Sequence, residues 1–252
     1  VAYVHSDIGA GRRICGAMLG LLGCFLASHG LAQEEVIDSP VWAGAVNFGY
    51  LETSGNTVGE TLSLAFDYGK DGPRWRHALH LDAYNQSSDD ERKAEKYLGS
   101  WQSNLKFNAI QSMFFRAQYE EDKFSSYAAT GIVSVGYGHR LLNNETMVLD
   151  LEAGPGYRRS KFAESGDIEN EVVLRAAANF KWDISETASF GQLLSVEEGS
   201  ENTVGRSTTS LTMAVYESLA VKLAYRLRWN RVVQPGTDSM DRETNISVAY
   251  QF

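Results

Sequence analysis

Asp241-Arg242-Glu243-Thr244-Asn245-Ile246-Ser247-Val248-Ala249-Tyr250-Gln251-Phe252 alternates with a period of two. Successive side chains of a strand point to opposite faces. Arg242, Thr244, Ile246, Val248, Tyr250 and Phe252 therefore share one face. Asp241, Glu243, Asn245, Ser247, Ala249 and Gln251 share the other. The first face turns apolar toward its end and the second stays polar. That pattern predicts a half-buried strand and excludes an amphipathic helix, whose period is 3.6.

Working back from this stretch, the same period runs from Val41 onward. Leu62, Leu64, Phe66 and Tyr68 oppose Thr61, Ser63 and Asp67. Trp75, Leu79, Leu81 and Ala83 oppose Arg76, His80 and Asp82. Tyr97, Trp101 and Leu105 oppose Lys96, Gln102 and Asn104, and Met113, Phe115 and Tyr119 oppose Arg116, Gln118 and Glu120. Met147, Leu149 and Leu151 oppose Asp150 and Glu152, with Arg158 further along that polar face. Leu174, Ala176 and Ala178 oppose Arg175 and Asn179, and Leu223, Tyr225 and Leu227 oppose Lys222, Arg226 and Arg228. With Trp42–Tyr50, a Gly-rich stretch from Ile132 to His139, and segments near Leu194 and Leu211, twelve strands are predicted. Tight connections such as Asp71-Gly72-Pro73 alternate with longer polar stretches: 87–95, 121–126, 160–170, 197–203 and 233–241. Short turns at one rim and long loops at the other are the pattern of a membrane barrel.

The chain has 252 residues and 43% hydrophobic content, and its mean hydropathy is slightly negative. After residue 32 nothing approaches the ~18 consecutive apolar residues of a membrane helix. A membrane barrel keeps such a composition, because only alternate residues face lipid. Residues 1–32 read as a secretory signal: Arg12 and Arg13, an uncharged run from Ile14 to Leu26, and small residues at Gly30 and Ala32 before a cut preceding Gln33. A lipoprotein signal, Leu21-Leu22-Gly23 before Cys24, is the alternative. Both cysteines lie in this segment. Losing it with Asp7, Arg12 and Arg13 takes the formal net charge from −9 to −10. So acidic a surface does not suit nucleic acid. Residues 33–40 form a short periplasmic segment, and 41–252 form the barrel.

A sheet facing lipid leaves no edge unpaired, since each orphan backbone group there costs several kcal/mol. The fold class is therefore an all-β, antiparallel transmembrane barrel of about twelve strands. The ending resembles the C-terminal strand by which bacterial outer-membrane barrels are recognised, with Tyr250 and Phe252 as the assembly signal. Gly49-Tyr50, Thr53-Ser54-Gly55-Asn56-Thr57, Gly136-Tyr137-Gly138, Leu151-Glu152-Ala153-Gly154-Pro155-Gly156-Tyr157-Arg158 and the Tyr-Gln-Phe ending resemble the salt-induced outer-membrane protein family, the YdiY-like domain of unknown function. The resemblance implies a bacterial outer-membrane location and a link to salt or envelope stress. It supplies no catalytic residues. The expected partners are outer-membrane lipids and lipopolysaccharide, the barrel-assembly machinery and periplasmic chaperones.

Ser54-Gly55-Asn56-Thr57 reads as a loop tolerant of positive φ or as a ligand contact. Gly154-Pro155-Gly156 marks a bulge or a rim, because proline cannot donate to a ladder. Three histidines follow the signal. His77 and His80 are three apart and face opposite sides of a strand. No Cys or His cluster has zinc spacing, so no cofactor is expected. His80 with Asp82 on one face is the seed of an alternative, a lipid-active hydrolase.

The polar faces carry Arg76, Asp82, Lys106, Arg116, Glu120, Asp150, Glu152, Arg175, Lys181, Lys222, Arg226 and Arg228. These are expected to line the lumen. They either pair across a filled interior or border a narrow aqueous path. Basic residues outnumber acidic ones in this set, so a conducting path is expected to favour anions. The chain reads as a non-enzymatic barrel with a structural or narrow-channel role.

Overall fold

The computed structural model describes residues 41–53, 59–88, 91–123, 125–233 and 238–252. The signal segment 1–32, the segment 33–40 and Ser54-Gly55-Asn56-Thr57 lie outside the described residues. Twelve strands are present: β1 (Val41–Thr53), β2 (Gly59–Asp71), β3 (Trp75–Ser88), β4 (Glu91–Lys106), β5 (Gln111–Asp122), β6 (Tyr127–Asn143), β7 (Met147–Phe162), β8 (Ile168–Ser185), β9 (Ala188–Gly199), β10 (Thr203–Tyr216), β11 (Leu219–Asn230) and β12 (Met240–Gln251). Each pairs antiparallel with its neighbours in sequence, and β12 pairs with β1 to close the barrel. The predicted fold class is the one observed.

β1 starts and β12 ends at one rim, here the proximal rim. It carries the turns 72–74, 107–110, 144–146, 186–187 and 217–218. Two of these turns are set by asparagine. Asn108 Oδ1 accepts from the backbone N–H groups of Ile110 and Gln111, both at 2.8 Å. Asn144 Oδ1 accepts likewise from Thr146 at 3.1 Å and Met147 at 2.7 Å. A side chain that mimics a backbone turn stabilises a short reversal locally.

At the distal rim the structure departs from the expected loop lengths. Ser87, Ser88 and 91–95 belong to β3 and β4, Ser160–Phe162 to β7, and Ile168–Asn170 to β8. The connections shrink to 89–90, 123–126, 163–167 and 200–202, while the last keeps its length and shifts to 231–239. The ladder needs only backbone groups. Once both faces are wet the side-chain alternation fades, but the hydrogen bonding continues. The strands reach 18 residues in β8, well beyond the ~9–11 that cross a bilayer.

Gly154-Pro155-Gly156 is neither a rim nor a bulge. β7 pairs with β8 straight through Pro155↔Leu174. On the β6 side the register runs from Ser134↔Gly156 to Tyr137↔Ala153 with equal numbers of residues skipped on each strand. Gly136 and Gly154 face one another there, and a Cβ on Gly136 would lie 2.7 Å from Gly154 Cα. Two missing side chains let the backbones approach where proline removes a donor.

The wall is inverted relative to a water-soluble barrel. On β8, Val172 and Leu174 are 72% and 61% exposed, whereas Glu171 and Arg175 are each 5% exposed. Leu64, Leu81, Trp101, Val135, Leu194, Leu223 and Val248 are exposed in the same way, and Ser63, Asp82, Ser100, Ser134 and Ser247 are buried. Apolar area left in water forfeits about 25 cal/mol per Å². Hydrocarbon around the wall removes that penalty, and closure satisfies the backbone there.

Near the proximal rim the outer face is aromatic. Trp42 and Tyr68 are 5.7 Å apart, with Lys70 Nζ 4.2 Å from the Trp42 ring centroid. His77 stacks between Trp75 (6.0 Å) and Trp101 (6.4 Å). One outward polar cluster breaks the apolar band. Gln192 Nε2 donates to Ser207 Oγ at 3.0 Å, and Thr209 Oγ1 donates to Gln192 Oε1 at 2.6 Å. Mutual bonding lowers the cost of placing these groups in an apolar surrounding.

The register makes a direct test. Leu223 is exposed on the outer face, and its neighbour Lys222 points inward to within 3.8 Å of Asp67. Leu223→Arg should cost ~2–4 kcal/mol near the bilayer midplane. Lys222→Gln should cost far less, because Asp67 keeps His80 and Asn47. Folded yield in lipid vesicles across a urea series measures both. Equal yields would refute the facing.

Candidate functional site

The inward faces of the twelve strands converge on a charged interior. Near the distal rim six side chains form an alternating chain. Arg158 donates to Glu171 Oε1 through Nε at 2.9 Å and Nη2 at 2.6 Å, and its Nη1 lies 3.6 Å from Glu197. Glu197 accepts from Arg206 at 2.9 Å, Arg206 lies 3.5 Å from Glu120, and Glu120 accepts from Arg228 at 2.5 Å. Among the described residues, Arg158 is the largest side chain fully removed from the surface. Glu171 Oε2 accepts from the Glu201 backbone at 3.0 Å, and Arg158 also donates to the Asn202 carbonyl. The chain therefore pins the β9–β10 turn. β5 stands opposite β11 in the ring, so the Glu120–Arg228 pair spans the lumen.

At mid-height Arg226 lies 3.1 Å from Asp82 across the lumen and also pairs with Glu243. Lys96 sits 3.9 Å from both Glu243 and Asp122. Asp67 accepts from Asn47 at 3.2 Å and contacts His80 Nδ1 at 2.7 Å. On the other side Glu152 accepts from Gln102 (2.6 Å), Asn104 (3.2 Å) and Arg175 (3.3 Å). Toward the proximal rim Arg140 grips Asp150 with two bonds of 2.7 and 2.8 Å. Arg76 bridges Asp71 (3.0 Å) and Asp150 (3.6 Å), and Lys106 pairs with Asp71.

Two cavities follow the barrel axis through these layers. The larger, about 400 Å³, reaches from Asp67, His80 and Asp82 up to Glu120, Arg206 and Arg228. The smaller, about 70 Å³, lies toward the proximal rim among Arg76, Lys106, Asp150 and Glu152. Arg116, Arg175, Asn179 and Leu193 border both.

Of the twelve residues expected in the lumen, Arg76, Lys106, Asp150 and Glu152 border the smaller cavity; Asp82, Glu120, Lys222, Arg226 and Arg228 border the larger; Arg116 and Arg175 border both. Lys181 borders neither and pairs with Asp183 at 3.0 Å. The basic excess of that set does not persist. Asp67, Asp71, Glu171, Glu197 and Glu243 join from the same inward faces, against Arg158 and Arg206, and bring the interior close to balance.

The His80–Asp82 pairing is corrected. His80 bonds Asp67 on β2, its register partner, and Asp82 meets Arg226. Residues i and i+2 on one strand face stand farther apart than cross-strand partners, so the cross-strand contact wins. His77 does contact a hydroxyl, Ser103 Oγ at 2.7 Å, but the ring is held between two tryptophans and Ser103 is buried. Among the described residues no three His, Cys, Asp or Glu side chains are placed to hold a metal ion.

A family described as "Protein of unknown function, DUF481" matches residues 46–252. The Escherichia coli (strain K12) protein named "Uncharacterized protein YdiY" is 30% identical over 246 residues, covering 94% of this chain and 97% of its own. Among solved structures, the NanC porin aligns with a TM-score of 0.50 at 11% identity, over 82% of this chain and 98% of that one. The COG4313 outer membrane channel from Pseudomonas putida F1 aligns at 0.49 and 8%, over 84% and 95%. At 11% identity the likeness to the NanC porin is one of fold.

Proposed function

We propose that this chain, which belongs to the DUF481 family, is a narrow, non-enzymatic channel of the bacterial outer membrane. The observation that supports the reading most is the pair of cavities in series along the axis, lined by charge and meeting at Arg116 and Arg175. Polar walls replace part of an ion's hydration shell, and charged side chains set its preference. The inverted wall supports a membrane setting, and the fold shared with the NanC porin is consistent with a channel. Residues 1–32 direct export, the proximal rim is periplasmic, and lipid, lipopolysaccharide and the assembly machinery are the surrounding partners. Salt or envelope stress enters through the family resemblance alone.

A second reading has its own observation. The Glu120–Arg228 pair joins opposite walls and the Asp82–Arg226 pair joins strands four places apart in the ring, as in a filled, purely structural barrel. Planar-bilayer recording of refolded protein separates the two. Discrete conductance steps with a reproducible reversal potential in a salt gradient are expected. A silent membrane at all voltages would remove the channel reading and leave the structural one. Lipid hydrolysis by the same preparation would overturn the non-enzymatic part.

A further inference from the structure

We propose that the waist between the two cavities is a binding station for a small oxyanion, a phosphate or carboxylate, with Arg116 as its principal ligand. Balance is the rule of the interior, and Arg116 is its local exception. Every other described inward-facing Arg or Lys bordering the cavities has a carboxylate within 4.0 Å. Arg116 has only amide oxygens: Nη1 donates to Gln102 at 3.3 Å and Nη2 to Gln118 at 2.8 Å. A guanidinium carries five N–H donors in a planar fork matched to an oxyanion. Two are engaged here, and the side chain borders both cavities.

Its surroundings suit an anion. Arg175 borders the same two cavities, with a single long contact to Glu152 and its guanidinium 5.7 Å from the Phe114 ring centroid. Asn179 adds an amide to the same constriction. Gln102 is oriented by Glu152, to which it donates at 2.6 Å, so its carbonyl faces Arg116. That arrangement holds the guanidinium in place without neutralising it. A charge removed from bulk water without a counter-ion is costly, and a bound oxyanion supplies the missing partner.

The station deepens the channel reading, since a permeating anion would pause there, but its test does not need conduction. Wild type, Arg116→Gln and Arg116→Lys are unfolded in urea in detergent micelles, with inorganic phosphate or with chloride at matched ionic strength. A ligand that binds only the folded state raises the midpoint. Phosphate should raise the wild-type midpoint beyond chloride. Arg116→Gln should weaken the apparent phosphate affinity at least tenfold, and Arg116→Lys should fall between. Without phosphate, Arg116→Gln should be at least as stable as wild type, because it removes an uncompensated charge. Equal phosphate shifts in wild type and Arg116→Gln, or no wild-type shift beyond chloride, would overturn the station. So would an Arg116→Gln chain that cannot fold, since the charge would then be structural. Phosphate binding by a non-conducting barrel would overturn the channel reading and leave the station standing.

Discussion

Replacing Glu120 by glutamine should lower the stability of the barrel by about 3–5 kcal/mol, the usual cost of removing one partner from a buried ion pair. Glu120 is the carboxylate on which two arginines from the opposite wall converge, Arg228 at 2.5 Å and Arg206 at 3.5 Å. Its side chain is only 5% exposed. Glutamine preserves the shape and removes the charge, so Arg228 loses its carboxylate partner in a place shielded from water. Arg206 is protected, because Glu197 still holds it at 2.9 Å. Glu120→Gln/Arg228→Gln should therefore recover much of the loss, which gives the cycle a sign as well as a size. Urea unfolding of the three variants in micelles measures both. A loss below about 1 kcal/mol is the range of a solvated pair; that outcome would mean the distal lumen is open water and the pair no constriction.

The same charges show what the sequence discloses and what it withholds. Facing follows from alternation, because a one-residue slip would turn every leucine of a strand inward. Asp82, Glu120 and Arg226 were therefore legible as interior residues. Pairing was not legible. Arg226 and Asp82 are 144 positions apart, and no local pattern says that β11 looks across at β3. His80 shows the same limit at short range: its partner Asp67 lies on the next strand, and only the register brings them level.

The missed residues fall into two kinds. Arg206 was within reach, since it shares the even phase with Thr208, Ser210 and Thr212 opposite Leu211 and Met213. Extending that phase two residues upward from Thr208 reaches it. Glu171 lies beside the polar stretch 160–170 and Glu197 opens the stretch 197–203, where the composition predicts loop rather than strand. There the chain keeps pairing after the apolar band has ended, and hydropathy carries no trace of a ladder made by the backbone. Arg116 was legible as a lumen residue. Its lack of a carboxylate is a property of three-dimensional placement alone.

Removal of Tyr250-Gln251-Phe252 should abolish closure, through the weakest seam of the barrel. β1 pairs with β2 along its whole length, Val41↔Asp71 to Thr53↔Gly59. Against β12 its register covers only Ala45↔Gln251 to Phe48↔Val248. One further rung extends this seam: Gly44 N–H donates to the Phe252 carbonyl at 2.8 Å, and Phe252 N–H donates to Gly44 at 3.0 Å. The Phe252 ring covers Gly44, where any side chain would collide with it. Truncation leaves Asn47↔Ala249 and Phe48↔Val248 to hold the ends together. Each backbone group orphaned in hydrocarbon costs several kcal/mol, so a two-rung seam should not close.

Refolding into pure lipid vesicles, read by protease protection and heat-dependent gel mobility, tests this without any assembly factor. The truncated chain should stay protease-sensitive there, and Gly44→Leu should be impaired in the same direction. Normal folding of the truncation in vesicles would sink the seam argument. If that same chain then failed to assemble in cells, Tyr250 and Phe252 would act as a recognition signal rather than as the latch of the wall.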